Sequence, residues 1–363
     1  MKPISRRDFI KTSAVAGAAV CATPTLLIPE SEAAWHRGTR IHPHVDNLRV
    51  VGVTDPKMTK AIEPVSSWAQ QEALVDEAIV WENIDKLACA LTRERNPAKA
   101  WQAIFVKPPG KSWSETSVAI KTNHIARQHT RSAVMSKVCH SLIDFLGVKG
   151  RNIHIYDGCH GKGMSRDTPF SGLPADCRIE NQWQGITTPT RIPKPWNSGQ
   201  GSADCLEHLV RGSVDILVNI SMCKGHSHQY GGFTMTMKNH LGTFSPRPIH
   251  QGGGLDYLIA INKTSEILGP FDKRSGQVIY PRQQLCIVDA LWASKKGPGC
   301  MPSHQPNFLA MGVFAPAVDY QIATQFRHKE MGWKPNREAL ERILKEFGIH
   351  KGDFPEDGRL IRA

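Results

Sequence analysis

Residues 214–254 place Lys224, His226, His228, Lys238, Asn239, His240 and His250 among glycines, with Asp215 as the single acidic residue. A neutral imidazole is the commonest nitrogen ligand for zinc, copper, iron and nickel. A partly desolvated lysine acts as base or nucleophile, and a solvated one clamps phosphate or carboxylate. A second loop, residues 157–163, repeats the pattern with Asp157, His160 and Lys162. His160, His226, His228 and His250 are therefore candidate ligands for a metal ion or metal-containing cofactor. The sequence does not choose between His226 and His228. Lys238 is the candidate cofactor-binding group or base, with Lys224 and Asp157 on the cofactor side. Lys121 and Asn239 are candidate clamps for a small anionic substrate, and Asp289 is a second strand-end carboxylate able to orient a histidine or take up a proton. Each group also has a plainer role: a loop histidine bonded to backbone, a surface lysine, or an aspartate capping a loop.

Elements that would position these groups follow from the hydrophobic pattern. The apolar run Ile216 to Ile220 reads as a buried strand, as do Ser117 to Asn123, Ile153 to Tyr156 and Leu285 to Asp289. Between them, apolar spacing predicts one long helix over 70–93, a helix from Thr130 as cap to Phe145, one from Ser202 to Arg211, and others over 255–268, 316–326 and 336–347. Phe170 to Gln200, rich in proline, glycine and tryptophan, reads as a surface insertion. Strands alternating with helices predict an α/β fold, a Rossmann-like, mostly parallel sheet with helices on both faces. Such sheets deliver ligand-binding groups at the carboxyl ends of their strands.

The N-terminus carries an export address. Ser5-Arg6-Arg7-Asp8-Phe9-Ile10-Lys11 is a twin-arginine pattern, followed by an uncharged run from Thr12 to Pro29 and small residues before Ala33. Cleavage after Ala33 is expected, and the Tat translocase is the partner during export. The division expected is a signal at 1–33, an N-terminal arm and helical region at 34–116, an α/β core at 117–330, and a C-terminal helix and tail at 331–363. No later run is long enough to span a bilayer, so a periplasmic protein without a membrane span is expected. Of the net charge of +12, the signal holds Lys2, Arg6, Arg7 and Lys11 against Asp8, Glu30 and Glu32, which leaves +11 on the mature chain. The basic residues are scattered, which argues for a small anionic ligand or a merely basic surface and against nucleic acid. Nine cysteines are present, none in C-x-x-C or C-x-x-C-H spacing, so no iron–sulfur motif and no c-type haem motif exists. Cys139 and Cys286 fall within apolar patterns and read as core thiols.

Four blocks together resemble the family called domain of unknown function 362. They are Ile120-Lys-Thr-Asn123; Ile155-Tyr-Asp-Gly158; Lys224-x-His226 with Thr234-Met-Thr-Met-Lys-Asn239; and Val288-Asp289 with Gly297-Pro298 and Asp319. His250 fits as well. The resemblance spans about residues 117–325 and implies a fold and a site, because the family has no settled activity. Some members carry a ferredoxin-type cluster segment, whose cysteine spacing is missing here. A looser likeness is to the nickel-pincer lactate racemases, which place a histidine, a second histidine, a cofactor-bonding lysine ten residues on and a further histidine in that order. His160, His228, Lys238 and His250 follow it, although Thr-Met-Thr-Met replaces the racemases' glycine-rich run and Lys238 to His250 is shorter.

The expected function is an exported metal- or metal-cofactor-dependent enzyme, of redox or isomerase type, acting on a small anionic substrate. The alternative is a non-catalytic metal- or cofactor-binding or maturation protein serving an exported redox partner. Electron transfer through an iron–sulfur cluster is disfavoured by the cysteine spacing.

Overall fold

A computed structural model of the chain describes residues 40–60, 67–125, 128–158, 170–180, 183, 185–272 and 274–363. The export signal, His160 and Lys162 lie outside them. Eight strands form one sheet: β1 (Val51–Thr54), β2 (Val118–Lys121), β3 (Ile153–Tyr156), β4 (Arg178–Ile179), β5 (Ile216–Met222), β6 (Gln283–Ala290), β7 (Phe308–Gly312) and β8 (Ile361–Arg362). Their order across the sheet is β8-β1-β7-β6-β5-β2-β3-β4. The run β6, β5, β2, β3, β4 is parallel, and β7 is antiparallel to both its neighbours. β1 and β8, from outside residues 117–330, complete the sheet on one side.

Side chains of a strand alternate between faces, so each parallel strand feeds two cores. Val118, Ile120, Ile216, Val218 and Ile220 pack with α1 (Glu77–Thr92), α2 (Pro97–Ile104) and α3 (Ser132–Asp144). Ala119, Leu217, Cys286 and Val288 pack on the opposite face with α4 (Thr236–Asn239), α5 (Gly254–Ile261), α6 (Ala315–Gln321) and α7 (Arg337–Glu346). The mostly parallel α/β sheet with helices on both faces is therefore as the sequence predicts. Its connections make a switch: β2 leads through α3 to β3 on one side, and β5 then lies on the other side of β2. The crevice at such a reversal is where open α/β sheets take their ligands.

Several elements differ from expectation for identifiable reasons. The single helix expected over 70–93 is two, Trp68–Glu72 and α1, because the Asp76 carboxylate accepts the Ile79 N–H at 3.1 Å and starts a new helix. Thr130 does not cap α3. Its hydroxyl accepts the Asn123 N–H at 3.1 Å, and carboxylates take the helix's leading N–H groups instead: Arg131 N–H donates to Asp289 Oδ2 at 2.8 Å and Ser132 N–H to Glu72 at 3.2 Å. Ser202–Leu206 is a strand paired with Thr187–Arg191, and only Glu207–Val210 is helical. The period there is two, with Ala203 and Cys205 buried and Ser202 and Asp204 exposed. The expected insertion 170–200 thus supplies the first arm of that hairpin as well as β4.

Two glycines bring the loops above the crevice together. A Cβ on Gly225 would lie 1.9 Å from Lys295 O, and one on Gly297 would lie 2.1 Å from Gly225 O. The two backbones touch directly, which seats the short hairpin Lys224–Gly225/Phe233–Thr234 against the loop after β6. Gly225→Ala forces them apart and is expected to cost about 2–3 kcal/mol, as overpacking does. Thermal unfolding checks this, and an unchanged melting temperature would contradict the contact.

Candidate functional site

The strand-end residues sort into two groups, one sealed beneath the crevice and one at its rim. The sealed group joins β2, β5 and α4. Lys224 is fully enclosed, and its ammonium donates to Asn123 Oδ1 at 2.6 Å, Gln128 O at 2.7 Å and Ile125 O at 3.3 Å. Asn123 Nδ2 donates to Asn239 Oδ1 at 3.0 Å. Asn239 Nδ2 in turn donates to Asn219 Oδ1 at 2.8 Å and Ile220 O at 3.2 Å. Asn219 Nδ2 donates to Thr236 O at 2.9 Å and Gln283 Oε1 at 3.1 Å, reaching β6. Beside this chain, Lys121 donates to Asp157 Oδ1 at 3.0 Å and Thr122 O at 2.6 Å, and Asp157 Oδ2 accepts the His124 N–H at 2.6 Å. Asp157 thus ties β3 to the loop after β2.

Burial governs the electrostatics of this group. Desolvation pushes Lys224 down to about 7, against the pull of Asp157, and the nearby cations Arg131 and Lys121 push the same way as burial. Burial also raises Asp289 above the usual carboxylate range, while Arg131 and the backbone N–H groups of Arg131 and Leu291 hold it down. Asp289 serves the start of α3 and the turn after β6. His240, also sealed, meets Gln283 Oε1 at 2.7 Å and is pushed down to about 3 by burial, so it stays neutral.

The rim group holds Lys238, His226 and His250. Short helix α4 separates the two groups, turning Asn239 inward and Lys238 outward. Its first N–H groups are capped by Asp319, which accepts Thr236 N–H at 2.8 Å, the Thr236 hydroxyl at 2.5 Å and Met237 N–H at 3.0 Å. Lys238 is 8% exposed, against 1% for Lys121 and 0% for Lys224. Its ammonium lies over the Tyr230 ring, 4.8 Å from the centroid, and the Tyr230 hydroxyl donates to Ile249 O at 3.2 Å, which fixes the turn carrying His250. His226 packs edge-on against the same ring at 5.3 Å. Desolvation first, then the positive charges of Lys238 and His250, push His226 down to about 4. Its Nδ1 accepts the Ser227 N–H at 2.7 Å, so the neutral ring carries its proton on Nε2.

Among the expected site residues, Lys121, Asp157, Lys224 and Asn239 meet in the sealed network, and Lys238, His226 and His250 meet at the rim. His228 is exposed; its carbonyl accepts from Asn336 Nδ2, and its ring joins neither group. Asp289 stands against Arg131, and His160 lies outside the described residues. Among the described residues no three or more His, Cys, Asp or Glu side chains stand close enough to hold a metal ion. Sequence reasoning passed over Asn219 and Tyr230. Asn219 is the one amide inside an apolar strand, and that interruption was the available signal.

Residues 118–324 match the family model described as Domain of unknown function (DUF362), and residues 3–23 match the signal sequence of the twin-arginine translocation pathway. The chain therefore belongs to the domain of unknown function 362 family. Its signal directs export, and no helix among the described residues is long and apolar enough to cross a membrane. No curated protein and no solved structure matches the chain, so the likeness to the nickel-pincer lactate racemases finds no support there.

Lys224 gives a pH test of the sealed group. Between about 7 and its ordinary 10.5 the unfolded chain holds a proton that the folded chain has released, so stability rises with pH through that window. Lys224→Met is expected to remove that rise and, by leaving buried acceptors without the amine that donates to them, to cost about 3 kcal/mol at pH 9. Denaturant unfolding from pH 7 to 9.5 measures both. A variant with the parent's slope would show that Lys224 titrates normally.

Proposed function

We propose that this exported protein binds and transforms a small anionic substrate at the Lys238, His226 and His250 rim, by proton transfer of the isomerase type. The observation that carries the reading is the bond from Ser227 N–H to His226 Nδ1. It makes His226 Nε2 a hydrogen donor beside the Lys238 ammonium, and a donor next to a cation suits a carboxylate or phosphate oxygen. A metal ion would need a ring lone pair, either on Nε2 in the opposite tautomer or on the Nδ1 that the Ser227 N–H occupies. The metal-cofactor reading that the histidines suggest therefore requires the ring to give up the Ser227 bond.

In this reading Lys238 binds the substrate's charge, and Tyr230 orients the ammonium through its ring and the His250 turn through its hydroxyl. His226 donates a hydrogen bond and stays neutral at neutral pH. His250, at the exposed edge, is the group placed to exchange a proton between substrate and solvent. The sealed network beneath takes no part in the chemistry and fixes where α4 points Lys238.

Isothermal titration with inorganic phosphate and with malonate tests the site. Lys238→Met and His250→Ala are each expected to weaken binding about tenfold or more while leaving the melting temperature within a few degrees, and His228→Ala to change neither. Elemental analysis of the same exported samples supplies the contrast. Binding unchanged in both rim variants, or a stoichiometric metal lost from them, would overturn the anion reading.

A further inference from the structure

We propose that Cys139 and Cys177 are joined by a disulfide bond once the protein has been exported. Cys139 lies on α3, enclosed in the core beneath that helix, and Cys177 is half-buried against the same apolar cluster. Residues 170–177 run along α3 and are tied to it at two points: Ser171 N–H donates to Ser132 Oγ at 3.2 Å, and His140 Nε2 donates to Gly172 O at 3.1 Å. A turn then closes with the Cys177 N–H on Pro174 O at 3.0 Å, and the next residue enters β4. This path brings the two thiols into a direct hydrogen bond.

The roles of the two sulfurs differ. The Cys139 thiol donates, which raises it further above a buried thiol's range, and Cys177 accepts, which draws it below the ordinary value. Cys177 is also the one that solvent reaches. Its thiolate attacks one sulfur of a disulfide-bearing oxidant, forming a mixed disulfide and expelling one thiolate of the oxidant. Cys139 then loses its proton, and its thiolate attacks the Cys177 sulfur, expelling the second. Two electrons and two protons end on the oxidant, which leaves as a dithiol. Twin-arginine export takes the chain to a compartment where such oxidants act, and in the reducing cytoplasm the pair stays as thiols.

The bond closes a loop from 139 to 177 that contains β3 and Asp157, the partner of Lys121, and it fastens the two-residue edge strand β4 beside its first residue. Denaturing the exported protein in an alkylating agent without reductant, followed by peptide mass spectrometry, should show the Cys139 peptide joined to the Cys177 peptide. Reductant should release the pair. An Arg6→Lys, Arg7→Lys double variant, held in the cytoplasm, should show both residues alkylated. Cys139→Ser and Cys177→Ser should each melt about 5 °C or more below the parent, and dithiothreitol should lower them no further. Both residues alkylated in the exported protein, or either joined to a different cysteine, would overturn the proposal. Should the serine variants fail to fold, the peptide map of the unaltered chain decides it.

Discussion

The Lys224 ammonium, buried among Asn123 Oδ1, Gln128 O and Ile125 O, is the contact on which the upper edge of the sheet depends. It holds the loop after β2 against the extension of β5, on either side of the point where the strand order reverses. A cation enclosed among three acceptors is costly to bury, and burial answers by pushing it down to about 7. From Asn123 the order passes by amide–amide bonds through Asn239 to Asn219 and on to Gln283. Losing one member would leave its neighbours buried without partners, so the chain acts as a unit.

That frame explains why the rim group is where it is. α4 is a single turn, too short to hold its own direction by helical bonding. Asp319 caps one end, and Asn239 is locked in the amide chain at the other, so Lys238 has little freedom. Asp319 is itself raised to about 7 by burial, against three hydrogen bonds that stabilise its charge. Stability from this carboxyl is therefore full below its ordinary 3.8 and lost as pH rises through about 7, the reverse of the trend that Lys224 imposes above 7.

Much of this was legible in the residues. Ile120-Lys-Thr-Asn123, Ile155-Tyr-Asp-Gly158 and Lys224-x-His226 all lie where strand periodicity and glycine placed them, at the carboxyl ends of β2, β3 and β5. What the pattern could not divide was sealed from accessible. Lys121, Lys224 and Lys238 look alike as lysines near strand ends, and only the packing of residues 123–125 and 128–130 around the first two tells them apart. Asn219 was hidden because a buried strand reads as apolar whatever its one amide does. The helix expected from Ser202 failed because helical and alternating spacing coincide over a few residues, and pairing with Thr187–Arg191 decides between them. The contact between Cys139 and Cys177 joins an α-helix to a loop far along the chain, and local spacing carries no trace of it.

The tautomer of His226 is the point on which the anion reading turns. Long-range nitrogen–proton correlation spectra of the histidine rings, recorded on exported protein from pH 5 to 8 with and without inorganic phosphate, measure it directly. The expected result is a neutral His226 ring protonated at Nε2 throughout that range, shifting with phosphate in the parent and not in Lys238→Met. A ring protonated at Nδ1, with Nε2 shifted as in a metal-bound imidazole, would contradict it.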